Sequence, residues 1–346
     1  MVASLNSQDL RRAAPWRIGI TLGDVAGIGP EITLKALAAL AGEPGPDFLV
    51  VGDAAVIHRA NRDFGLPLQP MSDASSAARF QYHDPSVRPL PDTLRPGAPE
   101  AALAAVRWLQ EAGERCLRGE LAGVVTAPVS KAAIIRAGVP FVGQTEFFSE
   151  LAGTKQTAMM LLAPDDRGRW LRVVLVTTHL PLRRVADAIT SEAVALACEL
   201  GAKACSDLGL DRARLGVAGL NPHAGESGEL GREEIEIIGP TLERLRDKGM
   251  EVVGPVPADT LFHQALRGDY DVVVAMYHDQ GLGPLKMIGF ERGVNWTLGL
   301  PFIRTSPDHG TAYDLAGKGR ADAGSMLAAI RLAMRLVERR SGGRSP

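Results

Sequence analysis

Apolar runs alternate along the chain with stretches in which apolar residues recur at helical spacing. Short apolar runs rich in β-branched residues predict buried strands, and the 3.6-residue period predicts amphipathic helices. The predicted strands are residues 17–22, 48–51, 123–126, 171–177, 215–220 and 271–276. The clearest predicted helices are residues 30–40, 100–118, 191–208 and 322–338.

This alternation is typical of the α/β class, in which helices cover a largely parallel sheet. A chain of 346 residues suits two domains better than one, which predicts two lobes with a cleft between them. Residues 66–99 are rich in Pro, Ser and Asp and have weak periodicity. We expect long connections and short edge strands there.

Composition narrows the class of partner. The net charge is -2 at pH 7, with acidic and basic residues interspersed, so a small molecule is expected rather than a nucleic acid or an anionic membrane. The three cysteines, Cys116, Cys198 and Cys205, have no CxxC spacing, which favours a reducing, cytoplasmic location. No apolar run reaches the ~18 residues of a membrane span, and residues 1–16 are expected to be a flexible tail.

Three of the seven histidines follow predicted strands: His179 ends LRVVLVTTH, His223 ends LGVAGLNPH and His278 ends VVVAMYH. Ligands of α/β proteins collect beyond the carboxyl ends of strands. A capping or core role explains any one of these histidines alone. Three imidazoles at equivalent strand ends instead predict a divalent-metal site with an open position for substrate.

The stretch GDVAGIGPE, residues 23–31, joins a predicted strand to a helix through three glycines, so that backbone amides can approach a ligand. A tight strand-to-helix turn explains the same glycines. The stretch is not a GxGxxG fingerprint, and the sequence has no Walker motif or GxSxG elbow. P-loop and serine-nucleophile chemistry therefore lose support.

Basic and amide side chains cluster late in the chain. Lys286, Asn295 and Arg304 occur within GPLKMIG, GVNWTLGLPF and IRTS, at predicted loops or strand ends. Solvent-exposed surface charge is the simpler explanation for each. Their apolar and glycine-rich neighbours favour a cleft, where these groups would bind an anionic substrate.

Six strings taken together resemble the 4-hydroxythreonine-4-phosphate dehydrogenase family, in order and approximate spacing, over about residues 17–335. They are GDVAGIGPE, VTAPVSK, GQTEFF, GLNPHAGESGELGREE, YHDQGLGPLK and GVNWTLGLPFIRTSPDHGTAYDLAGKGRAD. The resemblance implies a fold like that of the isocitrate and isopropylmalate dehydrogenases, two α/β/α lobes with a cleft. The implied lobes are residues 17–127 with 300–346, on the cofactor side, and residues 128–299, with the metal and the dimer interface.

The resemblance also implies NAD or NADP as cofactor, bound without a standard dinucleotide fingerprint. The cofactor candidates that match by motif are His309, Ala312, Asp314 and Asp322. Asp314 is the candidate partner of a ribose hydroxyl. The active site of such an enzyme lies at the interface of a homodimer.

The family's metal ligands map onto His179, His223 and His278, the same three histidines that the strand ends indicate. In the family the third ligand comes from the neighbouring subunit. The resemblance implies one divalent ion per subunit: zinc, cobalt or magnesium. Asp279 is a candidate to orient His278, with a helix cap as its alternative role.

The family's substrate-contacting positions map onto Gln144, Thr145, Lys286, Asn295 and Arg304. Two departures stand out: the chain has GQTE where the family usually has GHTE, and GDVAG where it usually has GDPAG. The amide of Gln144 can donate to a phosphate or carboxylate but cannot carry the positive charge of a histidine.

The implied reaction is metal-dependent NAD(P) oxidation of 4-hydroxythreonine 4-phosphate at C3, in vitamin B6 (pyridoxal phosphate) biosynthesis. The product, 2-amino-3-oxo-4-phosphooxybutanoate, decarboxylates to 3-amino-2-oxopropyl phosphate. Lys286 is the candidate to orient the carboxylate or phosphate, or to relay the proton.

Two alternatives stay open. A 4-phosphothreonate, 4-phosphoerythronate or terephthalate cis-dihydrodiol dehydrogenase of the same family is favoured by Gln144. A phosphotransacetylase-like acyl-transfer protein has a similar two-lobed α/β chain. The three strand-end histidines speak against the second alternative, because acyl transfer to coenzyme A needs no metal triad.

Overall fold

The computed structural model describes residues 17–71, 78–86 and 88–342; the predicted flexible tail, residues 1–16, lies outside them. Within this part of the chain, twelve strands form one mixed sheet. The strands are β1 Arg17–Thr21, β2 Asp47–Val51, β3 Gln69–Pro70, β4 Phe80–His83, β5 Gly123–Thr126, β6 Ala158–Pro164, β7 Trp170–Leu175, β8 Leu215–Ala218, β9 Val252–Val256, β10 Val272–Ala275, β11 Val294–Leu298 and β12 Ile303–Pro307.

Helices connect and cover these strands, and their ends follow local sequence signals. Asp53, Ser130 and Thr190 cap helix N-termini through their side chains, and Gly209 ends a helix in the left-handed conformation. The α-helices are α1 Gly29–Ala39, α2 Ala54–Asn61, α3 Pro99–Leu117, α4 Lys131–Arg136, α5 Gln144–Leu151, α6 Val185–Ala188, α7 Ser191–Leu208, α8 Gly239–Asp247, α9 Ala258–Arg267, α10 His278–Gly289 and α11 Gly324–Arg340.

The strand order in the sheet is β3-β4-β2-β1-β5-β12-β11-β6-β7-β10-β8-β9. Adjacent strands are antiparallel in the central run β12-β11-β6-β7, and the neighbouring strands on either side of this run pair in parallel. A largely parallel sheet with helices on its faces confirms the predicted α/β class. The antiparallel strands form a central seam between two parallel halves.

Side chains of β6 alternate between the two faces of this seam. Met159 and Leu161 pack into one buried cluster, which includes Leu282 and Leu285 of α10. Met160 and Leu162 belong to the larger core on the opposite face. The seam is therefore buried on both sides, and α10 is fixed against one of them.

All predicted strands and helices are present with ends within two residues of the prediction, and residues 66–99 contain the short strands β3 and β4. Among the strands, pattern analysis missed β6, β9, β11 and β12, and it placed no helix at α10. The expectation that Lys286 lies at a loop or strand end is wrong, because it lies inside α10. That helix contains Gly281, Gly283 and Pro284, which are typical of turns and conceal the helical pattern.

The predicted lobes share one sheet. The boundary predicted at 299/300 falls between β11 and β12, which are sheet neighbours. The lobe limits themselves stay a prediction. None of the helices in the described ranges combines the length and apolarity that crossing a bilayer requires.

Candidate active site

A cavity of about 380 Å³ opens where β12, β11 and β6 meet the first turns of α5 and α10. It brings together eight of the predicted site residues: Gln144, Thr145, His179, His278, Lys286, Asn295, Arg304 and His309. The five others, which are not among its described lining residues, are His223, Asp279, Ala312, Asp314 and Asp322. Strand ends and the antiparallel seam therefore build one site together.

Arg304, on β12, is 2% exposed. Its guanidinium donates to the hydroxyls of Thr126 (2.8 Å) and Thr297 (3.0 Å) and to Oε1 of Gln144 (2.9 Å). Burial lowers the pKa of Arg304 to about 9, because these neutral partners do not balance its charge. An anionic ligand in the cavity would offset that electrostatic cost.

The first turn of α5 places two predicted substrate residues beside this arginine. Nε2 of Gln144 donates to the carbonyl of Ala127 at 3.4 Å, while its Oε1 accepts from Arg304. The hydroxyl of Thr145 lies 3.4 Å from that of Thr297. Gln144 and Thr145 are thus held by the anion-binding end of the cavity.

Lys286 and Asp308, which also line the cavity, form an ion pair, with Nζ 3.6 Å from Oδ2. Asp308 follows β12, and its backbone N–H donates to the hydroxyl of Ser325. Burial raises the pKa of Asp308, and the Lys286 charge opposes that shift. The charged group of Lys286 therefore lines the cavity, and the carboxylate of Asp308 sets its position.

His179 and His278 face each other with ring centroids 5.6 Å apart. Two imidazoles that share one zinc ion have centroids roughly 5–6 Å apart, given Zn–N distances of ~2.1 Å. Burial lowers the pKa of His179, which favours the neutral ring, the form that binds metals. The pair fits two ligands of a divalent ion.

Asp279 contacts this pair from outside the cavity. Its Oδ1 lies 2.7 Å from Nδ1 of His278, although its side chain is 90% exposed. The contact leaves Nε2 of His278 free for a ligand, which is the geometry of an orienting carboxylate.

His223 lies in the turn Pro222–Gly228 after β8, and Nδ1 is 3.1 Å from Oε2 of Glu226. Residues 223–227 all have positive φ, and four of these five are not glycine. Each such residue costs ~1–2 kcal/mol, so the surroundings must hold the turn in place.

Across the described ranges, no cluster of three His, Cys, Asp or Glu side chains is placed to hold a metal ion. Within one chain, two of the three predicted metal ligands, His179 and His278, thus lie together, and His223 lies away from them.

A buried carboxylate stabilises this strained turn. Glu234, in a single π-turn before α8, is 3% exposed and accepts from the backbone N–H and the side-chain amide of Asn221. A side chain at Gly231 would lie 2.2 Å from that amide. These contacts explain much of the string GLNPHAGESGELGREE, which holds His223 in an unusual backbone conformation.

The four cofactor candidates do not gather at one point. His309 lines the cavity, and Ala312 has a φ of 41° in the loop that follows. Asp314 is exposed, and Oδ1 of Asp322 accepts from the N–H of Gly324 at the start of α11. His309 is therefore the one of the four that lines the cavity among the described residues, while Asp322 has a capping contact.

The glycine-rich loop after β1 supports the same segment. Asp24 accepts from the hydroxyl of Tyr313 at 2.5 Å, and a side chain at Gly27 would lie 2.5 Å from the carbonyl of Thr311. Gly23 has a φ of 66°. The described contacts of this loop match the tight-turn explanation, with close packing against residues 311–313.

Three polar atoms that line the cavity are buried without a hydrogen-bond partner: Oε2 of Glu146, Oδ1 of Asn295 and Nε2 of His309. Buried polar atoms are nearly always hydrogen-bonded in folded proteins. Three such atoms in one cavity therefore indicate a polar ligand.

Sequence reasoning missed Glu146 and Asp308, although both lie in the quoted strings GQTEFF and SPDHGTA. Each carboxylate sits close to a residue that the strings did identify, Gln144 or His309. The strings identified the segments that line the cavity, and the side-chain packing shows which further residues of those segments reach it.

The chain matches the model of the family described as "Pyridoxal phosphate biosynthetic protein PdxA" over residues 46–333. It is 46% identical to the 4-hydroxythreonine-4-phosphate dehydrogenase of Pseudomonas aeruginosa, over 94% of this chain and 99% of that protein. The enzyme of the same name from Caulobacter vibrioides is 44% identical, over 93% and 98%.

Solved structures give the same relationship. A 4-hydroxythreonine-4-phosphate dehydrogenase from Klebsiella pneumoniae has a TM-score of 0.78 at 41% identity, covering 93% of this chain and 99% of that one. A terephthalate 1,2-cis-dihydrodiol dehydrogenase from Burkholderia xenovorans has a TM-score of 0.67 at 30% identity, covering 93% and 98%. A beta-decarboxylating dehydrogenase from Thermococcus kodakarensis (0.52, 15%; 93% and 83%) shares the fold, which confirms the predicted fold relationship.

Proposed function

The chain belongs to the PdxA family of pyridoxal phosphate biosynthetic proteins, and from that premise we propose that it oxidises 4-hydroxythreonine 4-phosphate at C3 with NAD or NADP. The product, 2-amino-3-oxo-4-phosphooxybutanoate, then decarboxylates to 3-amino-2-oxopropyl phosphate. The observation that carries this proposal is the cavity in which buried Arg304 faces the His179–His278 pair.

The chain's own residues bind and orient the substrate, which carries a phosphate and a carboxylate. Arg304 and the amide of Gln144 take one anion, and Lys286, which lines the same cavity, takes the other. Asn295, whose Oδ1 lacks a partner, accepts from a substrate hydroxyl. Both ends of the substrate are thereby fixed, which places C3 between them.

His179 and His278 would hold a divalent ion together with His223 of a second copy. Such an ion supplies Lewis acidity that lowers the pKa of the substrate hydroxyl. The exposed side chain of His223 and the strained turn that presents it support this sharing. A homodimer with the active site at its interface follows.

We assign proton acceptance to the Lys286–Asp308 pair, whose charges lie 3.6 Å apart, and His309, which lines the same cavity, would border the nicotinamide. The two lobes, 17–127 with 300–346 and 128–299, would supply the cofactor side and the metal side. Three buried free cysteines support a cytoplasmic location.

The test is NADH or NADPH formation by the purified protein on 4-hydroxythreonine 4-phosphate, with and without chelator. Metal-dependent turnover supports the proposal. Turnover on 4-phosphothreonate or 4-phosphoerythronate alone would contradict it and favour the catabolic alternative. The 46% identity to dehydrogenases named for 4-hydroxythreonine 4-phosphate, against 30% to the dihydrodiol enzyme, favours the first substrate.

A further inference from the structure

A chain of hydrogen bonds crosses the strand ends that precede the three predicted metal ligands. β7, β10 and β8 are neighbours in the sheet, and their ends lead to His179, His278 and His223. The hydroxyl and the backbone N–H of Thr177 donate to the carbonyl of Met276 at 2.7 and 3.1 Å. The segments that follow β7 and β10 are thus joined directly.

Gln280, on the first turn of α10, joins β10 to β8. Its Oε1 accepts from the backbone N–H of Met276 at 2.6 Å, and its Nε2 donates to the carbonyl of Gly219 at 2.7 Å. Each end of the amide therefore has a partner of matching type. Gln280 spans the distance between the start of α10, which carries His278, and the residue that follows β8.

Gly219 packs against the turn that carries His223. A side chain at Gly219 would lie 2.8 Å from Cα of Ala224 and 3.1 Å from Oε1 of Glu234. Ala224 directly follows His223, and Glu234 holds the same turn through Asn221. Because the backbone at Gly219 and this turn are in close contact, a shift of one displaces the other.

We propose that Gln280 is a positioning residue that sets the place of His223 relative to His278. The inference rests on the proposed function, in which His278 serves the metal site of its own chain and His223 serves that of the partner. Residues 223–227 all have positive φ, and such a backbone relaxes unless its surroundings hold it. Through Gln280, the start of α10 in one site is tied to the ligand that the same chain supplies to the other site.

The experiment measures the Kd of Co²⁺ for the purified metal-free protein by calorimetry. Gln280→Glu keeps an acceptor for Met276 but cannot donate to Gly219, so it breaks only the contact to β8. We expect it to weaken Co²⁺ binding about 10-fold. In a His223→Ala background it should weaken the remaining binding less than about twofold, because the ligand through which it acts is gone. Gln156→Glu, the same change at an exposed position, is the matched control and should leave the Kd unchanged.

Equal losses in the two backgrounds would overturn the inference, since Gln280 would then act on the sheet edge and not through His223. A wild-type Kd in Gln280→Glu would overturn it as well. Thermal unfolding checks that each variant is folded. If Gln280→Glu is not, Gly219→Ala replaces it, because the added methyl group presses on the same turn and should weaken Co²⁺ binding only where His223 is present.

The wild type separates this inference from the proposed function. Wild type that neither binds Co²⁺ nor oxidises 4-hydroxythreonine 4-phosphate refutes the proposed function itself. Wild type that does both, beside a Gln280→Glu variant of unchanged Kd, refutes the role of Gln280 alone.

Discussion

Nη2 of Arg304 donates a hydrogen bond to Oε1 of Gln144 at 2.9 Å. The contact fixes which end of the amide faces the arginine, and it leaves the Nε2 end to donate. Nε2 lies 3.4 Å from the carbonyl of Ala127, a long contact that a substrate oxygen can replace. Gln144 is therefore an oriented, neutral donor at the position where its family usually has a histidine.

Replacement of Gln144 by His should keep turnover at about pH 8 and lose it on acidification. A neutral imidazole can accept from Arg304 and donate to the substrate, whereas an imidazolium can only donate and would repel the buried guanidinium. The loss should therefore occur below about pH 6.5, the ordinary pKa of histidine. The measurement is kcat/KM against pH, expressed as the ratio of variant to wild type, because the substrate phosphate itself titrates near pH ~6. A ratio that stays constant with pH would contradict the Arg304 contact.

Replacement of Arg304 by Met should abolish turnover and raise the melting temperature of the free protein. Burial holds the pKa of this base at about 9, below its usual range, so its charge destabilises the folded state at every pH below that value. Removal of the charge should raise Tm by about 2–5 °C. Exposed Arg212→Met is the control and should leave Tm unchanged.

The same variant tests anion binding without catalysis. Inorganic phosphate should raise the Tm of wild type, because an anion neutralises the buried guanidinium. It should not raise the Tm of Arg304→Met. A phosphate shift of equal size in both proteins would place the anion site elsewhere.

The sequence predicted the parallel strands well because their β-branched runs stand between clear helices. It missed the seam strands β6 and β11 for a physical reason: AMMLLAP of β6 contains no β-branched residue, and VNWTL of β11 interrupts its apolar residues with Asn295 and Thr297. Asn295 lines the cavity, and the hydroxyl of Thr297 accepts a hydrogen bond from Arg304. Function thus disturbs the hydrophobic pattern on which the prediction depends.

The strand-end argument selected His179 and His278, and the structure places their rings together. It also selected His223, which the fold of one chain keeps apart from the cavity. Position after a strand predicts which edge of a sheet a residue occupies, but it does not predict whether that residue reaches the cavity of its own chain. The carboxylates Glu146 and Asp308 gave no periodic signal, since their importance comes from burial.

A mixture of two inactive variants should recover activity if the metal site is shared between subunits. His223→Ala and His278→Ala should each abolish turnover alone. Dimers re-formed from an equal mixture should regain roughly a quarter of wild-type activity, since half are hybrids and each hybrid has one intact site. The measurement is NADH formation after mild denaturation and refolding together.

A matched mixture provides the control. His179→Ala mixed with His278→Ala should stay inactive, because the structure places both histidines in the same cavity, so each hybrid site lacks one of them. Recovery in this second mixture, or none in the first, would contradict the assignment of His223 to the partner's site.

Replacement of Asp308 by Asn should lower kcat about 100-fold without lowering the stability of the free protein. Burial raises the pKa of this carboxyl, so its charge costs folding stability at neutral pH, and that cost is relieved as pH falls through the folded-state pKa. An amide removes the charge but cannot hold Lys286 or accept a proton, so turnover falls while Tm stays level or rises. Asp166→Asn, at a 98% exposed position, should change neither quantity. If Asp308→Asn lowered Tm together with kcat, the carboxylate would stabilise the fold. A lower kcat at unchanged KM and Tm would instead show that the carboxylate positions Lys286 and sets its protonation.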